Sequence, residues 1–235
     1  LQAGGSTTIV IDGGSPTGTP TGDVLNVDLG AVPLPFIFNP ASGNIPGSPM
    51  TFSDIEQINF SLNGQQLPHT VKEGDVLVVT TNDSERIIVS NSGASAVDIR
   101  IGAGRYNTTA PTGRLIVMGQ GGDDQIIVNG RWDRPVLFDG GAGNDYLVGG
   151  SGDDELYGGD GNDRISGGDG NDLIFGGDGN DSIDTGNGTA DEAHGEGGND
   201  TIIGGSGNDL LTGGDGNDSI NGGYGNDLIF GGAGN

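Results

Sequence analysis

From Gly140 onward, one inward-type aliphatic residue returns at nearly every ninth position: Leu147, Leu156, Ile165, Ile174, Ile183, Ile202, Leu211, Ile220 and Ile229. Each stands between two more variable residues, which predicts a short β-strand with one side chain pointing inward. The six residues between such triplets are rich in glycine and end on aspartate. The units read GGAGNDYLV, GGSGDDELY, GGDGNDRIS, GGDGNDLIF and GGDGNDSID, then the ten-residue TGNGTADEAH at Thr185–His194. The cadence resumes with GEGGNDTII, GGSGNDLLT, GGDGNDSIN and GGYGNDLIF, followed by GGAGN. One unit supplies a turn and a strand, so two units predict one full coil with strands on opposite sides. No helical period of useful length occurs anywhere.

Upstream, Gly119–Ile127 (GQGGDDQII) reads as one more unit, with Asp124 and Ile126 in the aspartate and aliphatic positions. A spacer, Val128–Asp139, separates it from the array. Apolar runs at Val76–Val79, Ile87–Val89, Val97–Ile101, Leu115–Met118, Ile126–Val128 and Val136–Phe138 start about ten residues apart, apart from one longer gap around Tyr106–Arg114. That cadence predicts a parallel β-helix merging into the array; a separate small β-sandwich is the alternative. In residues 1–74, Val24–Leu29 and Ile55–Leu62 alternate like strands, whereas the Pro-rich Pro33–Pro49 is expected to break any regular element. The expected organisation is an irregular β-rich region over 1–74, helix-like coils with one degenerate repeat over 75–139, and a regular roll over 140–235. The fold class is all-β.

Composition sharpens this reading. Glycine supplies 51 of 235 residues, and aromatics only 5%. Glycines permit the left-handed backbone of tight turns, and Asn or Asp in the fifth position of a unit also tolerates it. The net charge is −25, placed unevenly: residues 119–235 carry 23 acids and three bases, residues 1–118 ten acids and five bases. Such a surface repels nucleic acid and anionic lipid and attracts cations. There is no cysteine, so thiols say nothing of the redox compartment. No apolar run of about 18 residues could span a membrane, and no signal peptide is visible. The chain starts at Leu1 and stops one residue before the next unit would supply its aspartate, so it reads as part of a longer polypeptide.

The sixth position of every unit is aspartate: Asp145, Asp154, Asp163, Asp172, Asp181, Asp191, Asp200, Asp209, Asp218 and Asp227, with Asp124 upstream. Coils stacked at about 4.8 Å line these carboxylates along both edges. Two charges about 4 Å apart repel by about 1 kcal/mol in bulk water and by about 4 at an effective dielectric of 20. A calcium ion removes that cost, because it takes six to eight oxygens and accepts carboxylates together with loop carbonyls. A disordered acidic tail is the alternative for the calcium-free chain. Asp191 stands apart, since its unit has one extra residue and Ala193 in the aliphatic position; a local bulge or a weak site is expected there. The third-position Asp160, Asp169, Asp178 and Asp215 alternate with Ala, Ser or Tyr in other units and are expected to matter less.

These units resemble the RTX (repeats-in-toxin, hemolysin-type) calcium-binding family, over Gly140–Asn235. The resemblance implies a right-handed parallel β-roll in which the sixth-position aspartates of successive turns on one side, with loop carbonyls, hold several calcium ions. It also implies a secreted or cell-surface protein that folds on meeting external calcium. Type I export is common in the family, with a C-terminal signal that this sequence does not contain. Residues 114–150 also resemble β-rich regions that precede such arrays in large bacterial surface proteins.

Catalytic signatures are missing: no HExxH zinc motif, no Gly-x-Ser-x-Gly elbow and no phosphate-binding Gly-x-x-x-x-Gly-Lys loop. The chain is therefore expected not to be an enzyme. His69 reads as a loop residue, and His194 as facing solvent or a partner. Trp132, with Arg131 and Arg134, suits a packed cap over the first coil better than a carbohydrate platform. Two functions remain: a calcium-folded structural or adhesive module, and the C-terminal carrier region of an exported toxin or hydrolase whose catalytic domain lies elsewhere. Alternate strands should form two sheets, and Phe175 and Phe230 should share the more apolar one, a candidate surface for self-association or intramolecular packing.

Overall fold

The computed structural model describes residues 9–12, 24–28, 36–38, 57–62, 65–66, 75–80, 83–91, 96–130 and 132–234. Every regular element among them is a β-strand. The chain groups into two compact units, Leu1–Val78 with Pro111–Ile116, and Val79–Ala110 with Val117–Asn235. In the first, Ile9–Asp12, Val24–Asp28, Gln57–Leu62 and Gln65–Gln66 form a sheet in that order, with the second and third strands parallel. A short strand at Phe36–Phe38 lies inside the Pro-rich stretch that was expected to hold none. It is the last strand of its sheet, and prolines flank the apolar triplet rather than interrupt it, as an edge position allows.

The second unit carries the nonapeptide array. Its units alternate between two sheets. One runs Val136–Ala142, Glu155–Asp160, Leu173–Asp178, Glu192–Gly197, Leu210–Asp215 and Leu228–Ala233. The other runs Arg86–Asn91, Gln125–Asn129, Tyr146–Gly150, Arg164–Asp169, Ser182–Asn187, Thr201–Ile203 and Ser219–Asn221. All these neighbours pair in parallel, and equivalent residues meet: Leu147 with Ile165, Leu156 with Ile174. The fold is a β-roll, with two units to a coil. Most array strands are six residues long rather than three, because the two glycines that follow the aliphatic triplet continue the pairing, as Gly159 does with Gly177.

Ile126, Leu147, Ile165, Ile183 and Ile202 face Leu156, Ile174, Ala193 and Leu211 across a thin core, each at most 1% exposed. A fully buried Leu or Ile contributes about 1.5–3 kcal/mol, so the regular aliphatic column holds the sheets together. Upstream, Arg86–Asn91 continues the stack in parallel with Gln125–Asn129. The expected succession of helix-like coils then departs from the structure. Ala96–Ile101 pairs antiparallel with Arg86–Asn91, and Gly104–Thr109 antiparallel with Ala96–Ile101. The short connections there permit a hairpin return, whereas a parallel crossover needs a dozen or more residues.

Candidate metal centre

The aspartates sit at the turns where the chain leaves one sheet for the other, and they form two ladders. On one edge, Oδ1 of Asp145, Asp163, Asp181, Asp200 and Asp218 accepts the backbone N–H of Asp124, Asp145, Asp163, Asp181 and Asp200, at 2.7–3.0 Å. The ladder starts with Asp124, whose Oδ1 accepts the N–H of Glu85. On the other edge, Oδ1 of Asp154, Asp172, Asp191, Asp209 and Asp227 accepts the N–H of Val136, Asp154, Asp172, Asp191 and Asp209. From Asp124 to Asp209 these residues are 1–3% exposed; Asp218 and Asp227 are half-buried.

The second oxygen is different. Oδ2 of Asp124, Asp145, Asp163, Asp172, Asp181, Asp191, Asp200, Asp209 and Asp218 is buried with no hydrogen-bond partner, whereas Oδ2 of Asp154 accepts the N–H of Gly150 at 2.6 Å. Apart from that of Asp191, whose unit begins with Thr185, each such oxygen lies in a hollow over the first glycine of its own unit. A Cβ placed on Gly158 would meet Asp163 Oδ2 and the carbonyl of Gly176, one coil on; one on Gly140 would meet Asp145 Oδ2 and the Gly158 carbonyl at 2.7 Å. First-position glycines are therefore required for space. The second and fourth positions mostly hold left-handed backbone, with φ of +111° at Gly159 and +140° at Gly161, and the second also admits Gln120 at +75° and Glu196 at +72°.

An orphaned anionic oxygen facing a carbonyl across a hollow that admits no Cβ fits a hard cation such as calcium. Among the described residues, no three His, Cys, Asp or Glu side chains gather to hold a metal. A cation bound there would need backbone carbonyls to complete its shell. Burial raises the carboxyl pKa to about 8 at Asp172, about 7 at Asp124, Asp154 and Asp163, and about 6 at Asp145 and Asp181. The Oδ1 hydrogen bonds oppose this in part, and neighbouring acids add to it. Asp191, Asp200 and Asp209 shift upward for the same first reason. A buried charge wants a partner of opposite sign.

The structure places all eleven sequence-identified aspartates in these ladders. Asp191 keeps its place, with its extra residue absorbed at Thr189 and Ala190, whose N–H groups both donate to Oδ1 of Asn171. Asp124 keeps its place although the spacer lengthens the step to Asp145 to 21 residues. Third-position Asp160, Asp169, Asp178 and Asp215 are exposed. The fifth position does more than tolerate a turn. Asn144, Asn162, Asn180, Asn199 and Asn217 form a further ladder in which each backbone N–H and side-chain Nδ2 reach the preceding Oδ1, beginning from Asp123. Its sequence signal was the recurrence of Asn itself, which turn propensity alone also explained.

Trp132 is 1% exposed, so its ring offers no face to a sugar, and Arg134 lies 5.8 Å from the ring centroid. His194 stacks on Phe175 at 4.9 Å, and its Nε2 lies 2.9 Å from Glu192 Oε1. His69 and Arg131 lie outside the described residues.

Parallel nonapeptide coils with inward carboxylate ladders define a cation-stabilised β-roll. Four overlapping copies of the RTX calcium-binding nonapeptide repeat match the chain, at residues 139–174, 157–189, 185–220 and 203–235. Residues 139–235 thus belong to the RTX calcium-binding repeat family and constitute a calcium-binding repeat module. No curated protein and no solved structure matches the chain.

Proposed function

We propose that the chain is a structural or adhesive module of a secreted or cell-surface protein, folded by calcium bound at several sites along both edges of the roll, and without catalytic chemistry of its own. The carrying observation is the row of buried, partnerless Oδ2 atoms facing backbone carbonyls. The ladder aspartates are the ligands, Asp191 apart, each giving Oδ1 to the preceding coil and, wherever Oδ2 is buried without a partner, that oxygen to the metal. Sites with so few side-chain charges suit the weak binding of extracellular calcium modules, roughly 10⁻⁴–10⁻³ M. That range is met outside cells, which supports the location. The outer face carrying Phe175 and Phe230 serves contact with a second roll.

A carrier region for an exported toxin or hydrolase would use the same roll and differ only in what else the polypeptide holds. Circular dichroism of the full chain tests the common core of both. The β signal of the roll should be lost in a chelator shown to strip the metal and return with millimolar Ca²⁺. A spectrum indifferent to calcium removal overturns the proposal.

A further inference from the structure

One coil of the array is built differently at the hollow. Where the other units of its edge begin with Gly149, Gly167, Gly204 and Gly222, the irregular unit begins with Thr185. At Gly167 a Cβ would meet Asp172 Oδ2 and stand 2.6 Å from the carbonyl oxygen of Thr185. At Thr185 the corresponding space holds a real side chain. Thr185 is 0% exposed, and its Oγ1 donates to the carbonyl of Gly204 at 2.6 Å. That carbonyl occupies the place that Gly158 O holds for Asp145, or Gly176 O for Asp163. Thr185 therefore fills the hollow of Asp191 and engages the carbonyl that faces the cation position in regular coils.

We infer that Thr185 plugs the calcium hollow of Asp191, so that the metal series on this edge is interrupted at the irregular unit while the opposite edge runs unbroken. This rests on the reading of the hollows as calcium sites. The ten-residue unit keeps the Asp191 Oδ1 bond to the Asp172 N–H, so the carboxylate ladder passes through it in register. The hydroxyl supplies a neutral internal bond where a cation would otherwise be required. The irregular unit then serves as a calcium-independent register point within the roll.

The test counts metal. Full-length wild type, Thr185→Gly and Thr185→Val are equilibrated with saturating Ca²⁺, and bound calcium per chain is measured by atomic emission beside a calorimetric titration. Circular dichroism verifies that each variant is folded. Thr185→Gly, which restores the unit to the common pattern, should bind one more calcium ion than wild type. Thr185→Val keeps the hollow filled without the hydroxyl and should bind the wild-type number. An unchanged count in Thr185→Gly, or an added ion in Thr185→Val, overturns the inference. A wild type that binds no calcium would instead sink the proposed function, so the two failures are distinguishable.

Discussion

The backbone N–H of Asp145 donates to Oδ1 of Asp163 at 2.7 Å, one full coil along the chain, while Oδ2 of that same carboxylate is buried without a partner. One side chain thus joins two coils with one oxygen and presents the other inward. Removing it should harm both stacking and metal binding. Asp172→Ala strips the Asp154 N–H of its acceptor, and a buried unsatisfied donor costs about 1–3 kcal/mol. Asp169 is exposed in the third position, and its loss should fall within about 0.5 kcal/mol. In calorimetric titrations and thermal melts, Asp172→Ala should lower calcium affinity and stability well beyond Asp169→Ala. Equal losses would contradict the two-oxygen assignment.

The calcium-free roll should prefer acid. Asp124, Asp145, Asp154, Asp163, Asp172 and Asp181 have folded-state pKa values raised to between about 6 and about 8, against an unfolded value near 3.8. A raised carboxyl pKa means the folded state holds its proton more tightly. Its stability is full below the unfolded pKa and declines as pH rises through the window up to the folded value. In chelator, β structure should therefore be greatest near pH 4 and fade by pH 8. Calcium takes the place of these protons, so its apparent affinity should fall as pH drops from about 8 towards 6, with protons released on binding. A chelated chain whose circular dichroism is flat from pH 4 to 8 would refute the electrostatic account.

First-position Gly140 and third-position Ser151 have opposite surroundings. A Cβ at Gly140 would meet Asp145 Oδ2 and the Gly158 carbonyl, whereas Ser151 is exposed. Gly140→Ala should close a hollow, reducing calcium affinity and melting temperature, and Ser151→Ala should resemble wild type in both. If the two variants behave alike, first-position glycine is not reserved for space.

Much of this was legible because the repeat forces equivalent residues into register. A period of nine with one aliphatic residue gave the two-unit coil, the inward column from Leu147 to Leu211 and the alignment of every sixth-position aspartate. What stayed hidden depends on contacts between coils. No composition rule separates first-position glycines, which need room, from the second- and fourth-position ones, most of which take positive φ. The plug at Thr185 read simply as an irregularity, and the weakness expected at Asp191 was attached to its extra residue and to Ala193. Apolar spacing also failed to reveal that Ala96–Ile101 turns back antiparallel, because a hairpin and a coil can share a ten-residue cadence.

The two outer faces of the roll differ in a way that suits one copy docking on another. Tyr157, Phe175, His194, Thr212 and Phe230 lie in one row across the first sheet, with Tyr157 and Phe175 rings 5.1 Å apart. Asp139, Glu155 and Glu192 give that face negative charge, and it bears no Lys or Arg. The second sheet holds Arg86 and Arg164 in one row, and Arg100 paired with Arg105 beyond Ile88, against Asp98 and Asp184. Half of the eight basic residues in a chain of net charge −25 are thus on one face. Calcium at the edges should suppress the general repulsion and let these faces meet head to tail, unlike faces in contact rather than one face meeting itself. Association should therefore need calcium and weaken with salt, since the Debye length is about 8 Å at 0.15 M. Two variants separate the faces: Arg86→Glu with Arg164→Glu, and Glu192→Lys with Leu228→Ser and Phe230→Ser. By sedimentation velocity in calcium, wild type should associate with rising concentration, each variant should stay monomeric, and their mixture should form a one-to-one complex through the intact face of each. A folded wild type that remains monomeric at every concentration, or a mixture that stays monomeric, would sink this assembly.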